Sequence, residues 1–317
     1  MIQGKQGVVL ANLGGPTTLE EVRPFLKNLF ADPDIFRLPF GRAGQAAFST
    51  LISTFRSPKS KKYYSAIGGG SPIHDNTLSQ AGKLQKVLSP EGEFRVFVAQ
   101  RYWHPLFEEV VPKIRHEGCE NIVLIPLFPH YSTTTTLSVI NEWNRTAPDL
   151  PEPRVIQRFY QKEGFLSACA QNIEAMVGPF PVTPYILFSA HAIPLSRVRD
   201  GDPYQREVTE NVELIMDRVG RKYPYSLCYQ SKVGPIKWLS PSFETAIDSL
   251  VEKDVRHVLV FPVSFVSEHV ETLYELDIQK KEYALDRGIV QYERAFTVQD
   301  SDDFIQTLKE LVLESLR

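Results

Sequence analysis

The stretch S-E-H-V-E-T-L-Y-E-L-D, from Ser267 to Asp277, concentrates ionisable side chains. Read as a helix capped by Ser267, it sets Glu268, Glu271 and Glu275 at i, i+3 and i+7 on one face, with His269 beside them. Like charges stacked in this way gain a surface helix nothing. At the carboxyl end of a buried strand, a row of acids can pass cations or protons. The plainer alternative is a solvated helix whose acids favour its positive N-terminus. A second ionisable group, His191 in S-A-H-A-I-P, directly follows the apolar run Y-I-L-F-S-A. In open α/β sheets that position is where ligands bind. A neutral imidazole opposed to carboxylates can hold a divalent metal or accept a proton. Without thiolates such a site binds iron only moderately, which suits a metal that must be handed on.

The elements that position these groups repeat. Gly7–Leu13 and Tyr185–Ala190 each run into a loop ending in proline, Pro16 and Pro194. Arg95–Gln100 and Ser226–Gln230 each end in Gln, with Pro105 and Pro235 following. Ile122–Phe128 and Val258–Phe265 each carry a proline in mid-run, Pro126 and Pro262, and Arg154–Phe159 and Ile289–Arg294 close each set. Apolar strands alternating with helical segments define an α/β protein with parallel sheets. The shared Gln and Pro positions define two similar four-stranded halves, with a ligand site at the carboxyl ends of the strands. His191 then follows the first strand of the second half and Glu271 its third, so both belong at the same edge of one sheet.

The first half carries about 45 extra residues between its first two strands. Within this insertion Phe48, Leu51, Ile52 and Phe55 recur at helical spacing, and Arg56, Lys59, Lys61 and Lys62 follow. An apolar helix beside a basic cluster can rest on an anionic membrane or line the mouth for a large, flat, acidic ligand. The commoner arrangement is an amphipathic helix packed on the core. P-H-Y-S-T-T-T-T (Pro129–Thr136) is the first half's counterpart of V-S-E-H-V-E, with Tyr131 as a candidate pocket wall and the threonines as helix caps. I-G-G-G-S-P (Ile67–Pro72) lacks the G-x-x-x-x-G-K-S/T pattern, and N-L-G-G-P (Asn12–Pro16) is not G-x-G-x-x-G, so no dinucleotide or nucleotide site is expected.

With 317 residues and 43% hydrophobic content, the chain can form one large or two medium domains. A net charge of -3 gives no footprint for nucleic acid. Cys119, Cys169 and Cys228 are far apart, which fits a reducing compartment and neither a disulfide framework nor a cysteine-ligated zinc or iron–sulfur site. No secretory leader is expected from M-I-Q-G-K-Q, and no apolar run reaches the ~20 residues of a spanning helix. A cytoplasmic protein is expected, with at most peripheral contact at the inner face of a membrane.

From about Gly7 to the C-terminus the chain resembles the ferrochelatases, which insert ferrous iron into a porphyrin late in haem synthesis. The resemblance rests on N-L-G-G-P at Asn12, I-G-G-G-S-P-I at Ile67, Q-R-Y at Gln100, S-A-H at Ser189, Q-S-K-V-G-P at Gln230 and S-E-H-V-E-T-L-Y-E-L-D at Ser267. It implies two Rossmann-like domains, 1–160 and 161–317, with a porphyrin cleft between them, a lip at about 30–72, and a C-terminal helix free to pack across onto the first domain. It also implies that His191 and Glu271 face the porphyrin nitrogens, that Glu268, His269 and Glu275 extend a proton or metal path, and that Arg56, Tyr64 and Ser71 hold propionates. Phe36, Arg101, Tyr102, Tyr131, Tyr229 and Phe265 match the pocket wall, although Tyr229 replaces a tryptophan found in some members. Some members add a C-terminal [2Fe–2S] cluster. This chain has too few cysteines for one, so no cofactor is expected, and Fe²⁺ is a substrate. The motifs favour protoporphyrin IX. The alternatives are coproporphyrin III as substrate, a cobalt chelatase of cobalamin or sirohaem synthesis, and a non-catalytic tetrapyrrole carrier.

Overall fold

The computed structural model describes residues 4–35, 41–232 and 234–317. In chain order the first part runs β1 (Gln6–Asn12), α1 (Val22–Ala31), α2 (Gly41–Ala66), α3 (Ile73–Leu88), β2 (Phe94–Gln100), α4 (Phe107–Glu117), β3 (Asn121–Pro126), α5 (Thr136–Thr146) and β4 (Arg154–Val155). The second part runs α6 (Glu163–Val177), β5 (Tyr185–His191), α7 (Leu195–Arg199), α8 (Tyr204–Arg218), β6 (Tyr225–Gln230), α9 (Phe243–Glu252), β7 (His257–Pro262), a π-helix (Glu271–Lys280), α10 (Lys281–Asp286), β8 (Gln291–Arg294) and α11 (Asp302–Leu316).

Apolar runs such as V-V-L-A in β1 and V-L-V in β7 are fully buried, as parallel strands covered on both faces must be. They form two four-stranded parallel sheets of the same order, β2-β1-β3-β4 and β6-β5-β7-β8. The α/β class and the duplication expected from the sequence are therefore present. Two compact units result: residues 1–158 with 305–317, and residues 159–304. The first unit is filled by Val9, Ile122, Leu124, Val139 and Trp143, and the second by Leu187, Phe243, Ile247, Val260 and Tyr292. Within the first unit, α11 is tied down by the ion pair Lys309–Glu91 at 2.6 Å and by Arg154 donating to the Ser315 carbonyl.

Two details differ from the sequence reading. The prolines expected in mid-strand are the last strand residues, Pro126 and Pro262. Beyond them the chain remains buried at Leu127, Val263 and Val266, so the apolar run continues while the ladder does not. Helix α2 also runs on through Pro58 to Ala66, and its buried face is not Phe48, Leu51, Ile52 and Phe55. Instead Gln45, Ser49, Ser53 and Ser57 are buried at four-residue steps, while Leu51 and Phe55 are 60% and 74% exposed. Against α1, the Gln45 amide donates to the Phe30 carbonyl at 2.9 Å and the Phe48 ring stands edge-on to the Phe30 ring at 6.4 Å.

Candidate active site

In the second unit, His191 is the last residue of β5, and its backbone is held on both sides. Its N–H donates to Ser264 Oγ at 2.9 Å, and the Tyr204 hydroxyl donates to its carbonyl at 2.9 Å. The imidazole Nδ1 lies 2.9 Å from Glu271 Oε2. With Nδ1–H donating to that carboxylate, Nε2 carries no hydrogen bond among the described residues, and the side chain is 37% exposed. His269 Nε2 approaches the same oxygen at 3.7 Å. The Phe265 ring stands edge-on to both imidazoles, with centroids 6.4 Å from His191 and 4.4 Å from His269.

Glu271 opens the π-helix. Bonding from i to i+5 gives roughly 4.4 residues per turn, so residues four apart lie within about 35° of each other around the axis. Two such rows are visible. Thr272, Leu276 and Lys280 form the buried row, and Glu271 and Glu275 form the site row. Gln230, at the end of β6, supports this helix. Its amide donates to the Glu271 carbonyl at 3.1 Å and to Glu275 Oε2 at 3.4 Å, while its own carbonyl accepts from Ser189 Oγ at 2.6 Å. Ser231 donates to Glu275 through its N–H at 2.9 Å and its hydroxyl at 2.5 Å, and the Lys280 ammonium lies 3.8 Å from the same carboxylate.

The α-helical face shared by all three acids does not form. Glu268 precedes the helix, and its carboxylate meets Arg294 at 3.0 Å and accepts from the Thr297 N–H at 2.9 Å. Ser267 is buried in the approach to the helix and is not its cap, because the helix begins after Val270. The electrostatics follow from these neighbours. Burial favours neutral Glu271, but the His191 and His269 imidazoles outweigh it and hold the carboxyl down at about 2. Burial lowers His191, and the Glu271 carboxylate more than reverses this, so His191 is raised above its ordinary 6.5. Burial, followed by the Glu271 charge, raises Glu275. Burial lowers His269, which is therefore neutral at neutral pH. Glu268 is lowered: burial opposes ionisation, but the Arg294 charge overcomes it.

The remaining candidates lie in both units. Tyr229 is buried in β6, and burial pushes its hydroxyl up to about 12. In the first unit, Arg101 and Tyr102 follow β2 and converge on Asp32, which is buried. Tyr102 Oη donates to Asp32 at 2.6 Å, Ser138 Oγ donates at 2.5 Å, and the Arg101 guanidinium pairs with it at 3.1 Å. The Arg56 guanidinium lies over the Phe30 ring at 5.8 Å, and Arg158 lies over Tyr131 at 5.8 Å. Tyr64 is buried near the end of α2. Ser71 donates its N–H to the Pro16 carbonyl at 2.7 Å, and a Cβ on Gly15 would fall 2.7 Å from the Ser71 Cβ. N-L-G-G-P and G-G-G-S-P are thus packed against one another, which explains the need for glycine there. Phe36 lies outside the described residues. Among the described residues, no three His, Cys, Asp or Glu side chains converge on a metal position.

The sequence reading gave no role to Ser264, Tyr204, Ser231, Lys280 or Arg294. Gln230 was visible as a repeated strand end, but its hold on the π-helix was not.

A duplicated parallel-sheet scaffold with an imidazole–carboxylate pair at the strand ends of one half defines a chelatase-like protein. Solved structures share this fold. SirB from Bacillus subtilis with Fe3+ superposes with a TM-score of 0.54 at 11% identity, covering 98% of this chain and 96% of that one. CbiX, the terminal enzyme for siroheme biosynthesis in denitrifying bacteria, gives 0.54 at 12% identity, covering 99% and 100%. The family model for ferrochelatase matches residues 5–316. The ferrochelatase of Gloeobacter violaceus is 44% identical over 98% of this chain and 97% of its own length, and that of Aquifex aeolicus is 42% identical over 97% and 98%. The chain belongs to the ferrochelatase family.

Proposed function

We propose that this protein inserts Fe²⁺ into protoporphyrin IX, giving protohaem and releasing two protons. The observation that carries this reading is the His191–Glu271 pair, 2.9 Å apart at the end of β5, in a chain of the ferrochelatase family. Metalation requires removal of two N–H protons and entry of a hydrated cation. His191 Nε2 has no hydrogen bond among the described residues and its side chain is 37% exposed, so it can accept a pyrrole proton or ligate the incoming iron. Glu271, ionised at neutral pH, takes the complementary task. Glu275, with its raised affinity for a proton, is next along the helix for a proton leaving Glu271, and Glu268 and His269 extend the polar surroundings. Apolar and aromatic walls grip the macrocycle and favour a bent ring whose lone pairs are accessible. Phe36, Arg101, Tyr102, Tyr131, Tyr229 and Phe265 are assigned to this wall, and Arg56, Tyr64 and Ser71 to the propionates, by resemblance. Exposed Leu51 and Phe55 beside Arg56, Lys59, Lys61 and Lys62 suit peripheral contact with an anionic membrane. No helix among the described residues is long and apolar enough to cross one.

Anaerobic metalation with Fe²⁺, followed by absorbance, tests the reading. Turnover of protoporphyrin IX is expected. Turnover of coproporphyrin III alone would keep the chemistry and change the substrate. Binding of both without metalation would make the protein a carrier. His191→Ala is expected to abolish turnover while porphyrin still binds, and near-normal activity in that variant would refute the assignment.

A further inference from the structure

A π-helix is seldom sustained for more than a single turn, because its backbone geometry is poorer than that of an α-helix. Ten residues of it, Glu271–Lys280, therefore need support from outside. One side chain supplies support to both flanks of the site. Arg294, the last residue of β8, is buried, with its side chain 3% exposed. Its Nε and Nη2 donate to the two oxygens of Asp277 at 2.6 and 2.8 Å. Its Nη1 meets Glu268 at 3.0 Å and the Ala295 carbonyl at 3.2 Å. Nε, Nη1 and Nη2 are thus all engaged by two carboxylates that bracket His269, Glu271 and Glu275 in the chain.

We propose that Arg294 is a positioning residue for metal insertion: by clamping Glu268 to Asp277 it keeps the intervening turn in π geometry, and so fixes Glu271 against His191 and Glu275 behind it. The inference rests on the iron-insertion reading. In an α-helix a four-residue step overshoots a full turn by about 40°, whereas in a π-helix it falls about 33° short. Relaxation to that form would swing Glu275 by roughly 70° around the axis relative to Glu271 and carry Asp277 off Arg294. Gln230, bound to the Glu271 carbonyl and to Glu275, would lose one contact or the other in the same change. Among the described residues Arg294 makes no hydrogen bond or ion pair with His191 or Glu271, so it reaches that pair through the helix, while its charge acts directly on Glu268; Asp277→Asn loosens the clamp and leaves that charge in place.

The test uses Asp277→Asn and Arg294→Lys in the full chain, beside wild type. Asp277 is the milder site because its side chain is 34% exposed. Three quantities are read: kcat for anaerobic Fe²⁺ insertion, porphyrin Kd from quenching of tryptophan fluorescence, and hydrogen exchange over residues 268–280. The clamp predicts a kcat loss approaching 100-fold, the scale of an ångström-sized misplacement. Porphyrin Kd should stay within about twofold, and amides of the π-helix should exchange at least about tenfold faster. Lysine keeps the charge but not the fork, so Arg294→Lys should not rescue. Folded Asp277→Asn with wild-type kcat and exchange overturns the clamp, as does a kcat loss matched by an equal loss of porphyrin affinity. If Arg294→Lys fails to fold, Asp277→Asn alone decides. An inactive wild type would instead sink the iron-insertion reading, so the two failures are distinguishable.

Discussion

Replacing Glu271 with Gln keeps the shape of the site and removes one charge. A carboxyl held at about 2 against an ordinary 4.5 corresponds to about 3 kcal/mol at ~1.4 kcal/mol per pH unit. The Glu271 side chain is 29% exposed, so water screens part of this, and about 1–2 kcal/mol of stability is expected from the pair. The sign depends on both partners. Glu271 is depressed, so its contribution is complete above 4.5 and is lost as pH falls towards about 2. His191 is raised, so its contribution is complete below 6.5 and is lost as pH rises through its folded value. Both contributions are present together only between 4.5 and 6.5. Glu271→Gln should therefore destabilise the protein more at about pH 5.5 than at about pH 8.5, with the difference read from urea midpoints. In the variant, burial of His191 is opposed only by Glu275, so the imidazole should titrate below 6.5 in an NMR pH series, where the wild type titrates above it. An unchanged His191 midpoint, together with equal destabilisation at both pH values, would refute the coupling.

Two further substitutions probe the supports. Tyr204→Phe removes the hydroxyl that donates to the His191 carbonyl, and should cost about 1 kcal/mol in urea unfolding and lower kcat with little change in porphyrin Kd. Asp32→Ala leaves the guanidinium of Arg101, 14% exposed, without its closest anion, and should cost about 3–5 kcal/mol, seen as a large fall in Tm.

The strands and their duplication were legible because parallel strands buried on both faces are written as continuous apolar runs, whereas their order in each sheet came from the structure. Their ends were less so. Val263 and Val266 are as buried as strand residues, yet Pro262 ends the ladder, and composition does not separate a buried loop from a strand. For α2 the sequence left the stripe Phe48, Leu51, Ile52 and Phe55 open between core packing and outward contact, and the structure divides it: Phe48 meets the Phe30 ring of α1 at 6.4 Å, Leu51 and Phe55 stay exposed, and Ser49, Ser53 and Ser57 are buried. In the candidate site, His191 and Glu271 were legible from their places at strand ends. The π turn was not, because it is held by Arg294 and Gln230. Gln230 lies 41 residues before Glu271 in the chain, and Arg294 lies 17 after Asp277.

The same duplication shows how one scaffold yields two different strand ends. Pro126 pairs with Ala11 and Pro262 with Ser189, which matches β1 to β5 and sets Leu13 in the place of His191. In that frame Gln100 pairs with Asn12, the counterpart of Ala190, but Ala190 pairs with Tyr229, and Gln230 pairs one residue later with His191. Strand β6 is therefore displaced by one residue relative to β2. A one-residue displacement moves a side chain to the opposite face of the sheet. Gln100 accordingly turns to His74 on α3, 2.9 Å away, whereas Gln230 turns to Ser189 and the π-helix. The two glutamines look equivalent as letters at matching strand ends. Register gives one of them to the fold of its unit and the other to the carboxylates beside His191.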